Sequence, residues 1–488
     1  MSRKINIFRV VYLCFLIVYA VIREVVSLNF LISNTLISGA IFGIAMLLII
    51  ASFVNDKSDL VNSYSYLLYM FLGACVISSI VNMKYGFFGN IKAIGILVIF
   101  FLVIYPFLKG DVNKEKARLP LYTFVITWSV FVFLSIPMYY FDIGYVVISL
   151  DASSQGFSHV YNRLWGLFSE ANCAAIYSMV ALLTSVALLS KEKMKHNRIF
   201  LFINIPMNFT FIVLSGSRTA KLVAIIVAVW LCICFAWKKL KSNGKKKVLQ
   251  TVVLSILSVA TVFSFYFTTE SLLPKTKYLV QNSCIYDKME NKVHLCYDAM
   301  YLRGNIDVIT GLSSQEEKED KTLGKKKKEL EAIKRTDAEK QDISNGRIDR
   351  WVDGFKIFVT TPVVGTSPRN TVPYAKEHVP ETLMALHEYT IHNSYLEVIV
   401  STGVLGAFPM FFFIMLAVLS LIKESFSHKQ SDENILLIGV AIVIGVASFF
   451  HTDIFFIFRF GGVMLWLLIG AFVNEKAGVF TKKEKDLS

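Results

Sequence analysis

The stretch Leu214-Ser215-Gly216-Ser217-Arg218-Thr219-Ala220 separates two apolar runs, 199–215 and 220–237, and leaves an arginine at the break. Each run approaches the roughly 20 apolar residues that a membrane-crossing helix needs, so the stretch reads as the tight turn of a helical membrane hairpin. An arginine inside hydrocarbon costs roughly 2.5 kcal/mol or more. Arg218 therefore belongs at the headgroup level or against an anion in a polar cleft. A second marked stretch, His392-Asn393-Ser394-Tyr395-Leu396-Glu397, stands just before a later apolar run, and we read the two as halves of one site.

Working outward, the 488-residue chain is 55% hydrophobic and only 18% charged, with a mean hydropathy of +0.56. That composition places it among integral membrane proteins rather than soluble domains. Twelve apolar runs qualify as spans: 8–22, 30–54, 61–81, 91–108, 121–141, 171–190, 199–215, 220–237, 248–267, 398–422, 435–450 and 454–473. The expected fold class is an all-α integral membrane protein of about 12 transmembrane helices, with one large extracytoplasmic loop subdomain containing short amphipathic helices. The run 8–22 is followed by Arg23-Glu24 rather than a small-residue cleavage pattern, so it is expected to stay as an anchor.

A net charge of +14 would suggest nucleic acid in a soluble protein, but here the basic residues act as topology markers and no nucleic-acid partner is expected. Lys109, Lys114, Lys116 and Arg118 fall in one loop, Lys191, Lys193, Lys195 and Arg198 in a second, and Lys238, Lys239, Lys241 and Lys245 to Lys247 in a third. With both termini cytoplasmic, all three loops lie inside. The Arg218 turn and the segment after Thr268 then face outward. The expected organisation is an N-terminal transmembrane scaffold at 1–141, a first outer loop at 142–170, central helices with the Ser-Arg-Thr turn at 171–267, a large extracytoplasmic loop at 268–397, and C-terminal helices with a cytoplasmic tail at 398–488.

Small residues such as Gly39, Gly43, Gly73 and Ala74 are expected to let the scaffold helices pack closely. The first outer loop ends in Arg163-Leu164-Trp165-Gly166-Leu167-Phe168-Ser169-Glu170-Ala171-Asn172, which by itself suits an interfacial belt. The middle of the large loop, 316–340, is strongly charged and nearly free of aromatics, and we assign it no catalytic role. Cys284 and Cys296 lie in the same loop, where an oxidising compartment would permit a disulfide; the other five cysteines suit packing. Order returns near Arg347-Ile348-Asp349-Arg350, where Trp351, Val352, Phe355 and Phe358 recur at helical spacing and predict an amphipathic surface helix.

On one outer face, Arg163, Arg218, Arg347 and Arg350 would surround a phosphate ester or pyrophosphate. Their planar forks bind such anions bidentately and stay charged at any physiological pH. His392 supplies a proton acceptor, with Asn393, Glu397, Ser217 and Asn172 as supporting residues. His387-Glu388-Tyr389-Thr390-Ile391-His392 is not a zinc-protease signature, because helical zinc ligands need two histidines four apart and these are five apart. No phosphate-binding glycine loop and no Asp-x-Asp pair occurs in the outer loops. The expected reaction uses no cofactor, ATP or metal.

These residues resemble the bacterial O-antigen ligase and polymerase superfamily (the WaaL and Wzy types). Ser215-Gly216-Ser217-Arg218-Thr219-Ala220 resembles its Ser-Arg-Thr turn, and Arg163 through Gly166 and Phe168 to Asn172 resembles an upstream element. Arg350-Trp351 to Pro362 and Gly365 is similar to its outer-loop helix, and His392 to Glu397 followed by Gly403-Val404-Leu405-Gly406 to its most recognisable motif. The similarity covers roughly 161–412. It implies an inverting glycosyl transfer from an undecaprenyl-pyrophosphate-linked oligosaccharide, building a capsule, exopolysaccharide or O-antigen outside the bacterial cytoplasmic membrane. In the family's pattern His392 is the base, Arg218 a pyrophosphate ligand, and Arg347 or Arg350 the second. Membrane lipid, a chain-length regulator and a flippase are the partners implied. A polymerase is favoured; a ligase transferring to a lipid-A core or protein is the alternative, and a glycolipid flippase or transporter the rival of another class.

Overall fold

The computed structural model describes residues 3–26, 28, 35–55, 62–108, 118–147, 153–158, 163–240, 244–283, 346–427 and 431–473. Cys284, Cys296 and the charged stretch 316–340 lie outside them. The helices are α1 (Arg3–Arg23), α2 (Thr35–Asn55), α3 (Ser65–Val81), α4 (Phe88–Val98, continued as a π-helical turn Ile99–Ile104), α5 (Arg118–Tyr140), α6 (Ala171–Leu189), α7 (Lys195–Leu214), α8 (Arg218–Lys239), α9 (Gly244–Gln281), α10 (Arg347–Thr360), α11 (Thr371–His378), α12 (Leu383–His387), α13 (Ser394–Ser425), α14 (Asp432–Ala447) and α15 (Phe460–Val473). Among the described residues, seven helices are long and apolar enough to cross a membrane: α2, α5, α6, α7, α8, α9 and α13. Shorter apolar helices cover Ser65–Val81, Phe88–Ile104 and Phe460–Val473. The architecture is thus that of a helical, multi-pass membrane protein.

Helix α6 is the hub. Its sequence is dominated by Ala, Ser, Cys and other compact residues, which lets α5, α7, α8 and α14 all pack against it. Its apolar window is 78% buried, against 11% for α9, whose Val, Leu, Ile and Phe side chains point outward as lipid-facing residues do. Polar side chains join α5, α6 and α7 within the apolar interior. Trp128 Nε1 donates to Ser178 Oγ at 3.1 Å, and Asn204 Nδ2 donates to Ser185 Oγ at 2.6 Å. Of the small residues expected to pack the scaffold, Ala74 is buried, but a Cβ added at Gly39, Gly43 or Gly73 would meet nothing within 4 Å. Those three glycines lie away from the helix contacts.

Three stretches depart from the expected pattern. The segment 142–170, expected as a solvated outer loop, contains an antiparallel sheet, ordered β1 (Gly144–Val147), β2 (Ser153–Ser158), β3 (Arg163–Gly166). Gly166, at φ 65°, lies so close to α5 that a Cβ would stand 2.3 Å from Ser135 Oγ, and Leu167 N donates to that same hydroxyl at 3.0 Å. Beyond β3, Ser169 N donates to Glu24 O at 2.8 Å and Val26 N to Leu167 O at 3.0 Å, hooking the end of α1 to the start of α6. Helix α9 runs past the expected boundary at 267 to Gln281. Its polar residues there find partners: Lys221 Nζ pairs with Glu270 at 2.5 Å, Gln281 Nε2 donates to Asp142 Oδ2 at 2.6 Å, and Lys277 pairs with Asp142. The run 454–473 is helical only from Phe460. Its first part is buried but irregular, because His451, Asp453 and Arg459 are drawn into the interior contacts described below.

Helix α13 is broken at Gly403, whose φ of 59° and ψ of −164° end the regular ladder. The turn after α10 fills the gap. Thr366 N donates to Val400 O at 2.9 Å and Ser367 N to Ser401 O at 2.8 Å, while Val404 N donates to Pro362 O at 2.8 Å and Leu405 N to Val363 O at 3.1 Å. Two helical rungs are thereby exchanged for four bonds to another segment. From α3, Ser78 Oγ donates to Ser401 O at 2.9 Å and Asn82 Nδ2 to Gly365 O at 2.8 Å. The two backbones approach so closely that a Cβ at Gly365 would lie 2.4 Å from Ser401 C, and one at Gly403 2.3 Å from Val363 O.

Gly403→Ala should therefore lower the thermal midpoint of the detergent-solubilised protein by several degrees, since this backbone conformation, almost confined to glycine, alone costs another residue about 1–3 kcal/mol before the clash is counted. Gly73→Ala, in open space, should leave the midpoint unchanged.

Candidate functional site

The Ser-Arg-Thr turn is a helix start. Gly216 adopts φ 57°, Ser217 caps α8 by accepting from Ala220 N at 3.2 Å, and Arg218 is the first helical residue. Beneath the turn, Arg163 is only 6% exposed; its Nε donates to Ser215 O at 2.6 Å and its Nη2 to Asn172 Oδ1 at 3.0 Å. Arg163 and Asn172 thus brace β3, the turn and α6 from below. Ser217 likewise serves the backbone as a cap.

Helix α10 carries Arg347 and Arg350. Arg347 Nη1 donates to Thr219 Oγ1 at 3.2 Å and its guanidinium lies 5.6 Å from the Phe450 ring centre; Arg350 stacks on Tyr389 at 4.4 Å. Burial lowers the Arg347 pKa, with Glu170 and Cys173 opposing, and Arg350 and Arg218 are its cationic neighbours. Arg218, Arg347 and Arg350 are therefore gathered at one place, held apart from collapse by hydrogen bonding and by aromatic faces.

His392 lies on the non-helical stretch between α12 and α13, in a left-handed conformation at φ 51°, and is half-buried. Burial pushes its pKa down to about 4; the Glu170 charge acts against this, while Arg350, His451 and Arg347 add to it. Asn393 caps α13 by accepting from Tyr395 N and Leu396 N, each at 3.0 Å. Ser394 then straps the segment down: its Oγ donates to His451 O at 2.8 Å and accepts from Asp453 N at 3.1 Å. Glu397, in the first turn of α13, has Arg369 and Asp453 as its charged neighbours. Arg369 escaped the sequence reading because nothing marks the turn Pro368-Arg369-Asn370 as part of a site.

Behind His392 lies a buried ionic cluster that the spacing of motifs does not reveal. Arg459 is its centre. Its Nη1 is 2.9 Å from Asp453 Oδ1, 3.4 Å from Cys173 Sγ and 3.9 Å from Glu170 Oε2, and its Nε is 3.7 Å from Glu24 Oε1. Tyr177 OH donates to Asp453 Oδ2 at 3.1 Å, and His451 Nδ1 stands 3.5 Å from Glu170 Oε1. One available signal was Arg459 itself, since a charge inside an apolar run marks a site by default. Glu170, Cys173 and His451 offer three donor atoms within 4.8 Å, a set that by type could hold a metal ion, but the Arg459 guanidinium already supplies positive charge to those donors.

One guanidinium thus faces three carboxylates, and the charges are not shared evenly. For Glu170, burial opposes ionisation, but His451, Arg459 and the Cys173 thiol outweigh it and hold the pKa at about 2. Glu24 goes the other way: burial, aided by Asp453 and Glu170, lifts it to about 7 against the pull of Arg459. A carboxylate whose pKa is raised on folding contributes stability that is complete below its unfolded value, here 4.5, and lost as the pH rises through about 7. The wild-type thermal midpoint should fall between about pH 5 and about pH 8, and Glu24→Gln, neutral throughout, should reduce that fall.

Residues 199–411 match the O-antigen ligase family model, a range that contains the Arg218 turn, α10 and His392. A stretch of 139 residues is 24% identical to the exopolysaccharide production protein ExoQ of Rhizobium meliloti (strain 1021), covering 27% of this chain and 31% of that protein. The match therefore spans less than a third of that relative's length. No solved structure matches the chain.

Proposed function

We propose that this multi-pass membrane protein, similar over residues 199–411 to the O-antigen ligases, is an inverting glycosyltransferase that polymerises undecaprenyl-pyrophosphate-linked repeat units into a surface polysaccharide. The observation that carries the reading is the convergence of Arg218, Arg347 and Arg350 beside His392. An acceptor hydroxyl attacks the anomeric carbon of the donor sugar and gives its proton to His392. The bond from that carbon to the pyrophosphate oxygen breaks on the opposite face, and the lipid pyrophosphate leaves with the electron pair. The arginines stabilise the charge that develops on it. His392 is neutral above about pH 4 and so is free to take the proton at physiological pH, and a pyrophosphate held beside it raises its affinity for that proton.

An apolar groove of about 540 Å³ between α10 and α13, lined by Phe355, Phe358, Leu396, Ile399, Phe408 and Met415 among others, supports a lipid-linked donor. It begins within two helical turns of Arg350, so a headgroup at the arginines leaves a hydrocarbon tail beside it. The likeness to an exopolysaccharide production protein favours a role in making a surface polysaccharide, which we read as polymerisation. The family description favours a second reading, ligation of the finished glycan to a lipid-A core or protein. In either case we read the protein as a twelve-span protein of the inner membrane with both termini cytoplasmic and the site on the outer face, working with a flippase and a chain-length regulator.

The test is purified protein in EDTA with lipid-linked oligosaccharide extracted from the producing cell, comparing wild type, His392→Ala and Arg347→Ala. Lengthened lipid-linked glycan, lost by at least about 100-fold in His392→Ala, is the expected result. Transfer only when a lipid-A core is supplied would replace polymerase by ligase, and glycolipid crossing liposomes with no bond made or broken would replace both by a transporter. The acid limb of kcat/KM, which reports the free enzyme, should lie near pH 4, activity being lost as the pH falls through it. Arg347→Ala should weaken inorganic pyrophosphate binding about 10-fold, the loss of a charge-assisted contact.

A further inference from the structure

Nothing in the motifs assigns a role to Glu170, yet the structure places it where the buried cluster meets the base. We infer that Glu170 is a positioning residue for His392: a carboxylate fixed by Arg459, His451 and Cys173 that sets one negative charge against the arginines gathered around the imidazole. The inference rests on the glycosyl-transfer reading for its purpose, but its physical core does not.

Three observations carry it. First, Glu170 is held by several partners at once: the Cys173 thiol donates to Oε2 at 3.2 Å, His451 Nδ1 is 3.5 Å from Oε1, and Arg459 Nη1 is 3.9 Å from Oε2. Second, the partners are themselves fixed. His451 is 1% exposed, its Nε2 is buried with no hydrogen-bond partner among the described residues, and Asp453, Glu24 and Cys173 hold Arg459 from other sides. Third, the same loop is tied to the base. The backbone of His451 and Asp453 is bonded to Ser394 Oγ, two residues from His392, so the loop that carries part of the carboxylate cluster and the backbone that carries the imidazole are tied together.

The charges facing His392 come from three elements: Glu170 at the head of α6, Arg347 and Arg350 on α10, and His451 between α14 and α15. Of these Glu170 is the anion. A donor site built from arginines suppresses the protonation on which a general base depends, and a fixed negative charge offsets that suppression without occupying the space of the substrate. Glu170 takes no proton in the reaction. It acts through His392, which receives the acceptor's proton and later releases it to solvent.

The experiment is a pH titration of the full chain in nanodiscs, labelled with [13Cε1]histidine, the His392 resonance being identified by its absence in His392→Gln. Inorganic pyrophosphate is the probe for the donor's phosphates. Glu170→Gln should lower the His392 midpoint by about one pH unit, with and without pyrophosphate. Turnover with the extracted lipid-linked glycan should show the acid limb moved down by a similar amount and kcat reduced several-fold, with the donor KM no higher, because the lost charge repelled the donor. A variant with kcat and KM both impaired and the limb unmoved would show a merely structural residue and overturn the inference, as would an unchanged midpoint. If Glu170→Gln does not fold, Glu170→Asp carries the test: its withdrawn charge should give a smaller but resolved drop in midpoint, and no drop overturns the inference. Wild type that titrates as described but makes no glycan would defeat the proposed function and leave the Glu170–His392 coupling standing.

Discussion

A backbone that crosses hydrocarbon must satisfy every N–H and C=O from within the protein, and each failure costs several kcal/mol. Helix α13 breaks this rule at Gly403 and is rescued by the turn at 361–367, which donates to the two orphaned carbonyls and accepts from the two orphaned amides. Much else follows from that exchange. It fixes the C-terminal end of α10, and with it the arginines at the other end. It also fixes α13, whose first residues carry Asn393, Ser394 and the approach to His392. Both halves of the candidate site are thus registered against each other by main-chain bonds, at an approach so close that it has no room for a Cβ at Gly365 or Gly403.

The candidate site divides into an upper layer of arginines with the histidine and a lower layer whose polar groups serve the protein itself. Arg218, Arg347, Arg350 and His392 form the first. Arg163, Asn172, Ser217 and Asn393, which share its motifs, spend their polar groups on backbone carbonyls, caps and one another. Below them the Arg459 cluster buries four formal charges, an arrangement that is expensive unless each charge is matched. Matching is achieved by leaving Glu24 close to its protonated form while Glu170 stays ionised. The cluster's negative field then reaches outward toward His392.

Much of this was legible in the sequence, and the limits have physical causes. Apolar runs announce spans because hydrocarbon tolerates little else, and the helix starts at Ser217 and Asn393 are written in their capping residues. The amphipathic spacing from Arg347 to Phe358 marked α10. The run 454–473 misled, because burial demands apolar residues whether or not the backbone is helical, and Ile454 to Phe458 are buried or nearly so in irregular structure. Helix α9 outran its apolar segment because its polar end found partners in Asp142 and Lys221, residues remote in the chain. The Arg459 cluster draws on α1, α6 and the α14–α15 connection, and no local pattern can express a meeting of three such distant segments. Arg163 shows the converse: its motif lies beside the candidate site, but only the fold reveals that its guanidinium is spent on Ser215 O and Asn172.

The exchange at Gly403 also bears on how the protein is made. The turn that completes α13 is synthesised before it, while the helix needing it is still within the ribosome. Insertion of α13 as an independent segment would leave its break unsatisfied in lipid. Biogenesis of this span is therefore coupled to prior placement of the 361–367 turn, and integration of α13 and assembly of the candidate site become a single step.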